Sequence, residues 1–164
     1  MAYTIERAKP GDERILAYIQ TESWKNAFRD ILDRETLEKC TDWDRAVGMY
    51  RRLLERSVGN GYILRIDGKP HGIAWWDTAR DGTPGCAEIL CIHSLPDHWH
   101  QGYGSKLMDQ VLSDIAEAGY PRVMLWVFAD NARARAFYAA KGFTTEGVRK
   151  PNVIPTEIRY ERRL

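Results

Sequence analysis

The period of hydrophobic and polar positions changes several times along this chain, and each change marks an element. Residues 3–8 alternate as an edge-like strand, and Pro10-Gly11-Asp12 then breaks it and caps a helix reaching to about residue 22. Residues 23–37 hold no steady period and read as a bend, while 44–55 read as a second helix. Strands at 62–66 and 71–77 are joined by Asp67-Gly68, a pair suited to the tight hairpin turn whose central residues need positive φ. Residues 79–85, ARDGTPG, form a loop. A buried strand follows at 87–94, and then a helix over 103–118. One stripe of that helix is Leu107, Met108, Val111, Leu112, Ile115 and Ala116, with polar residues opposite. A strand over 122–128 and a helix over 131–141 complete a parallel β-α-β-α unit. Two closing strands are predicted at 144–148 and 156–163, with Pro151 and Pro155 in the connection. The order β-α-α-β-β-β-α-β-α-β-β predicts an α/β fold, a mixed, antiparallel-rich sheet between helices.

Composition narrows the function without naming it. With 164 residues and neither repeat nor low-complexity linker, one domain over 1–164 is expected, large enough for a real core. A formal charge of +1 and a pI near 7.7 demand neither nucleic acid nor an anionic membrane as partner. No apolar run approaches the roughly 20 residues of a membrane span, and MAYTIERAKPGD has no signal-peptide core, so a cytoplasmic protein is expected. Cys40, Cys86 and Cys91 are odd in number and lack metal or disulfide spacing, which predicts reduced thiols and no metal.

The turn before the helix at 103 carries the first chemical signal. Gly102 and Gly104 let backbone approach a ligand, and the first amides of a helix are unpaired donors at the positive end of its dipole. Together they make an anion site, most naturally for phosphate. The first turn holds no Asp or Glu, and His98, His100 and Lys106 lie nearby. A P-loop would need Gly-Lys-Ser/Thr, but the order here is Gly104-Ser105-Lys106. A dinucleotide fingerprint needs a third glycine where Leu107 stands. The remaining pattern, Gln101-Gly102-Tyr103-Gly104-Ser105-Lys106-Leu107 after a strand and Pro96, resembles the coenzyme A pyrophosphate loop of the GNAT superfamily of N-acetyltransferases.

A second stretch makes that resemblance specific. Asn131-x-x-Ala134-x-x-Phe137-Tyr138-x-x-Lys141-Gly142-Phe143 is similar to the family's second signature position for position. In physical terms Asn131 can cap a helix and Gly142 can end it. Asn131 and Tyr138 are two turns apart, roughly 10 Å along the axis, within reach of one long ligand. The resemblance covers most of the chain and implies the GNAT acyl-CoA N-acyltransferase fold, whose element order is the one read above. It implies acetyl-CoA as co-substrate, held by His100, Gln101, Gly102, Tyr103, Gly104, Ser105, Lys106 and Asn131. It further implies that the strand at 87–94 splays from its neighbour, so that backbone amides of Ile92, His93 and Ser94 bind the acetyl carbonyl and the pantetheine arm. The family pattern departs at Trp99 and His100, where Gln or Arg and then Gly are usual; His100 either donates to the pyrophosphate or crowds it.

Acetyl transfer to an amine needs a base and an acid. A lysine-like acceptor has a pKa near 10.4, so presenting it neutral at pH 7 costs about 4 to 5 kcal/mol. Glu88, an acid in the apolar strand AEILCI, is the candidate base, placed where many relatives carry one; alternatively it faces solvent or pairs with an Arg. His93 is a second candidate, pointing away from Glu88 by simple alternation. Tyr138, by its place in the motif, is the candidate acid for the departing thiolate. Cys86 and Cys91 sit in the strand, but no His-Cys-acid arrangement argues for an acyl-enzyme.

Trp24, Phe28, Trp75 and Trp76 are candidate acceptor-binding residues, and consecutive Trp75 and Trp76 must face opposite sides. Asp30, Asp33 and Glu35 either favour a cationic amine or are simply solvated. The sequence thus points to direct acetyl transfer from acetyl-CoA to a primary amine of a small molecule. Protein N-terminal or lysine acetylation, and an acyl-CoA sensor without turnover, remain as alternatives. A homodimer is left open.

Overall fold

The computed structural model describes residues 1–164. A six-stranded sheet carries the fold, its strands lying side by side in chain order. The strands are β1 (Tyr3–Arg7), β2 (Asn60–Ile66), β3 (Lys69–Thr78), β4 (Cys86–Ser94), β5 (Arg122–Phe128) and β6 (Glu157–Arg163). Every pairing is antiparallel except β4 with β5, whose crossover is the helix α4 (Tyr103–Glu117). Asp67 and Gly68 both take positive φ in the β2–β3 turn, as their sequence requires.

Alternation along the strands feeds two cores. Tyr62, Leu64, Ala74 and Trp76 face α4, whose Leu107, Met108, Val111 and Ile115 are buried against them. Ile63, Ile73 and Trp75 face the other side, covered by α1 (Glu13–Ala27) and α3 (Trp43–Glu55) through Leu16, Ile19 and Tyr50. Ala116 falls off the α4 stripe and is exposed. Trp76 Nε1 donates to the Tyr62 hydroxyl at 2.9 Å, and that hydroxyl donates to Asp114 at 2.8 Å. Tyr62→Phe would strand a buried indole N–H, and unfolding in urea is expected to show a loss of about 1–3 kcal/mol.

Three elements differ from the sequence expectation. α1 runs through 23–27, because Ser23 and Asn26 bond back to the carbonyls of Gln20 and Glu22 at 3.0 and 2.8 Å instead of ending the helix. A further helix, α2 (Arg34–Cys40), occupies part of the expected bend; it buries no residue, so no apolar period announces it. Its N-cap is Asp33, which accepts from the Thr36 amide at 2.7 Å. The strand expected at 144–148 reduces to isolated pairings of Thr144 with Glu161 and Arg149 with Ile158, the chain between them turning through positive φ at Gly147. The last helix is α5 (Ala132–Ala140).

Candidate active site

One irregularity in β4 sets up the site. Trp75 pairs with Cys91 and Trp76 with Ile89, so Leu90 is an extra residue, a β-bulge. The bulge reverses the parity of the strand. Glu88, Cys91 and His93 share the α1 face, whereas Ala87, Ile89 and Ile92 pack on the α4 side. Simple alternation, which placed His93 opposite Glu88, therefore fails at Leu90. Pairing of β4 with β5 covers only residues 86–88 and 122–124. Past that point the sheet opens, and a cavity of about 930 Å³ runs through the gap from the α5 side to the α1 side.

The α4 end of the cavity is built from backbone. Gly102 has φ +86° and His100 φ +64°, a left-handed turn that delivers the chain to the helix start. The first amide used inside α4 is that of Lys106, donating to Gly102 O at 3.1 Å. The amides of Gly102, Tyr103, Gly104 and Ser105 have no protein acceptor, no side chain caps them, and no acid stands in the first turn. Lys141 donates to Ser105 Oγ at 2.8 Å and pairs with Asp109, which leaves the serine O–H free to donate. His100, Gly102, Tyr103, Gly104 and Ser105 lie on the wall, as do Ile92, His93 and Ser94 across the gap. Gln101 and Lys106 do not: both are exposed, and Lys106 extends over the Tyr3 ring, 5.1 Å from its centre. Asn131 accepts from the Ala134 amide at 3.2 Å as the α5 cap and also reaches the wall.

The titratable groups sort themselves by burial and partner. The Tyr138 hydroxyl makes no hydrogen bond; the ring packs edge-on against Phe137 and Phe143 and faces the cavity. Burial raises its pKa well above the usual phenol range, so it keeps its proton at neutral pH. His93 Nε2 accepts from Trp24 Nε1 at 3.0 Å, and burial lowers its pKa to about 4, which leaves a neutral ring with its acceptor occupied. Burial pushes the Cys91 thiol up to about 12, the opposite of what a nucleophile needs.

His93 also carries a pH dependence. Between pH 6.5 and 4 the unfolded chain protonates this ring and the folded one does not, so acid favours unfolding. Stability is present above pH 6.5 and is lost as pH falls toward 4; His71, also held low by burial, adds in the same direction. His93→Gln keeps an acceptor for Trp24 and is expected to reduce the shift in urea midpoint between pH 7 and pH 5.

Glu88 sits behind the wall rather than on it. It is 2 % exposed; Arg80 donates to Oε1 from its backbone amide and Nε at 3.0 and 3.1 Å, and to Oε2 from Nη2 at 2.7 Å. The structure thus realises the Arg-paired alternative, because a carboxylate in an apolar strand needs such a partner when water is absent. Arg80 itself is on the wall. Trp24, Phe28 and Trp75 line the cavity; Trp76 does not, being buried on the α4 side beneath Tyr62. Asp30, Asp33 and Glu35 are likewise off the wall. Sequence reasoning missed Leu90, Trp126, Phe128, Arg133 and Glu157. The aromatic alternation in LWVF was the available signal for Trp126 and Phe128, whereas nothing in sequence singled out Glu157. No helix is long and apolar enough to cross a membrane, and no three His, Cys, Asp or Glu side chains group as metal ligands.

A sheet that opens beside its one parallel pair, with unpaired helix-start amides at the opening, is the GNAT acyltransferase fold. The structure of PaiA N-acetyltransferase from Thermoplasma acidophilum, solved in complex with coenzyme A, superposes over 100% of both chains with a TM-score of 0.84 at 19% identity. A model of the Acetyltransferase (GNAT) family matches residues 19–143, and the chain belongs to that family. Among relatives, a "Probable N-acetyltransferase" of Mycobacterium tuberculosis is 26% identical over 148 residues, covering 87% of this chain and 80% of that one. An "Uncharacterized N-acetyltransferase" of Archaeoglobus fulgidus is 32% identical over 95 residues, 56% of this chain and 65%, just under two thirds, of its own length.

Proposed function

We propose that this single domain, 1–164, is an N-acetyltransferase that moves acetyl directly from acetyl-CoA to a primary amine of a small molecule. The observation that carries this is one continuous cavity joining four unpartnered amides at the start of α4 to the proton-bearing hydroxyl of Tyr138. Bound acetyl-CoA supplies an activated acetyl group as a thioester. The amides of Gly102 to Ser105, with the Ser105 hydroxyl, hold a diphosphate; His100 lies on the same wall and serves as an additional donor. β4 beyond Glu88, unpaired on its β5 side, offers peptide N–H groups to a carbonyl oxygen. The acceptor attacks as the neutral amine, its ammonium proton having passed to solvent; Tyr138 gives its proton to the leaving sulfur, and the proton lost from nitrogen as the amide forms restores the Tyr138 hydroxyl. Glu88 acts through Arg80, which it fixes at the rim of the acceptor end.

Cys91, with its thiol held protonated, takes no acyl group, consistent with direct transfer. A cytoplasmic location suits both the co-substrate and the free thiols Cys40, Cys86 and Cys91. The test is thiol release from acetyl-CoA against a panel of amines, with product mass. Amine-dependent release with a product 42 Da heavier is expected, the mass of acetyl replacing hydrogen. Tight coenzyme binding with no release for any amine would instead favour a sensor.

A further inference from the structure

Resting on the acetyltransferase function proposed above, we propose that the acceptor is a monoamine with an apolar body of aromatic size, its ammonium received by Glu157. The half of the cavity on the α1 side is walled by Trp24, Phe28, Leu90, Trp126 and Phe128. Phe28 stacks edge-on with Trp24 at 4.9 Å and with Phe128 at 5.0 Å, a preformed aromatic corner. On that corner Trp24 Nε1–H is already spent on His93, and the other indole of this wall, Trp126, makes no hydrogen bond. The bulge pushes Leu90 out of the sheet; it is 37% exposed, large for an apolar residue, and faces this space. An apolar ligand surface is what such walls stabilise.

Charge then decides the head group. Arg80 turns its Nε and Nη2 edge to both oxygens of Glu88, so its charge is compensated there. Arg133, the other arginine on the wall, belongs to α5 and lies over the Trp99 ring at 3.5 Å. Glu157 is the only carboxylate on the wall; its side chain makes no hydrogen bond or ion pair, and its charge is felt by Arg80, which is itself bound to Glu88. It is the cross-strand partner of Phe128, so both side chains leave the sheet on the same face. One free carboxylate beside aromatic rings suits one ammonium, with a ring face adding attraction to the cation. A polyamine would bring a second and third cation with no partner, and an amino acid would bring a second carboxylate beside that of Glu157, a like-charge contact.

The experiment titrates amines into the protein saturated with coenzyme A, by calorimetry, and separately follows thiol release with acetyl-CoA. 2-Phenylethylamine is expected to bind at least 10-fold tighter than spermidine or phenylalanine. Glu157→Gln is expected to weaken 2-phenylethylamine at least 10-fold while changing the neutral analogue 2-phenylethanol less than 2-fold, and Phe28→Ala to weaken both. Tighter binding of spermidine or phenylalanine, equal loss of amine and alcohol in Glu157→Gln, or no binding by either aromatic ligand would each overturn the assignment. Turnover of spermidine in preference would overturn it while upholding acetyl transfer. Tight 2-phenylethylamine binding without thiol release would support the acceptor pocket and contradict the transferase.

Discussion

Gly104→Asp is expected to remove coenzyme binding without destabilising the protein. Gly104 is the second residue of α4, and a Cβ there would meet the Phe137 ring at 3.7 Å, an ordinary contact. An acid in the first turn, where none now stands, gains about 0.3–1 kcal/mol from the helix dipole. Replacing a helical glycine by Asp, itself a poor helix former, adds only about 0.3 kcal/mol more. The same carboxylate would occupy the place of a diphosphate and repel it at contact distance, so acetyl-CoA affinity is expected to fall more than 100-fold, roughly 3 kcal/mol. Thermal unfolding followed by circular dichroism and titration calorimetry measure the two effects side by side. An unchanged Tm with unchanged binding would mean that this loop does not hold the diphosphate.

Tyr138→Phe is expected to lower kcat about 10²–10³-fold and to leave the Kd for acetyl-CoA within 3-fold. Loss of a positioned proton donor carries a penalty of that size, while the ring that remains keeps its packing on Phe137 and Phe143. Its hydroxyl bonds to nothing in the protein, so the substitution strands no partner. Because burial raises the phenol's pKa, the group remains protonated through the alkaline range, and kcat in the wild type is expected to show no fall up to pH 10 from this residue. Stopped-flow thiol release alongside calorimetry separates the two quantities. Parallel loss of turnover and affinity would make Tyr138 a packing residue.

Much of the fold could be read from the chain because local signals agreed with the global one. The α4 stripe, the Asp67-Gly68 turn and the Asn131 cap each correspond to an observed feature. α2 could not be read, since a helix that buries nothing has no period to detect. Of the motif positions, Gly102, Tyr103, Gly104, Ser105, Asn131 and Tyr138 lie on the cavity wall, because helix starts and caps depend on nearby residues, whereas Gln101 and Lys106 point to solvent. The β4 positions were harder: one extra residue at Leu90 reverses the side on which His93 emerges, and a bulge leaves no mark in the period before it. Glu88 shows the limit of reasoning from strand composition. A lone acid in an apolar run signals a partner, but whether that partner is a substrate or Arg80 depends on a loop eight residues upstream. Glu157 lay outside every motif and acquires its position only through the β5–β6 register.

If the amides opening α4 fix the coenzyme, its sulfur lies beside Tyr138. A crystal structure with coenzyme A tests it most directly. Diphosphate oxygens are expected on the amides of Gly102 to Ser105, the pantetheine arm in the gap between β4 and β5, and the sulfur within about 3.5 Å of the Tyr138 hydroxyl, the reach of a hydrogen bond to sulfur. A coenzyme bound away from α4, or one seated there with its sulfur directed away from Tyr138, would contradict it.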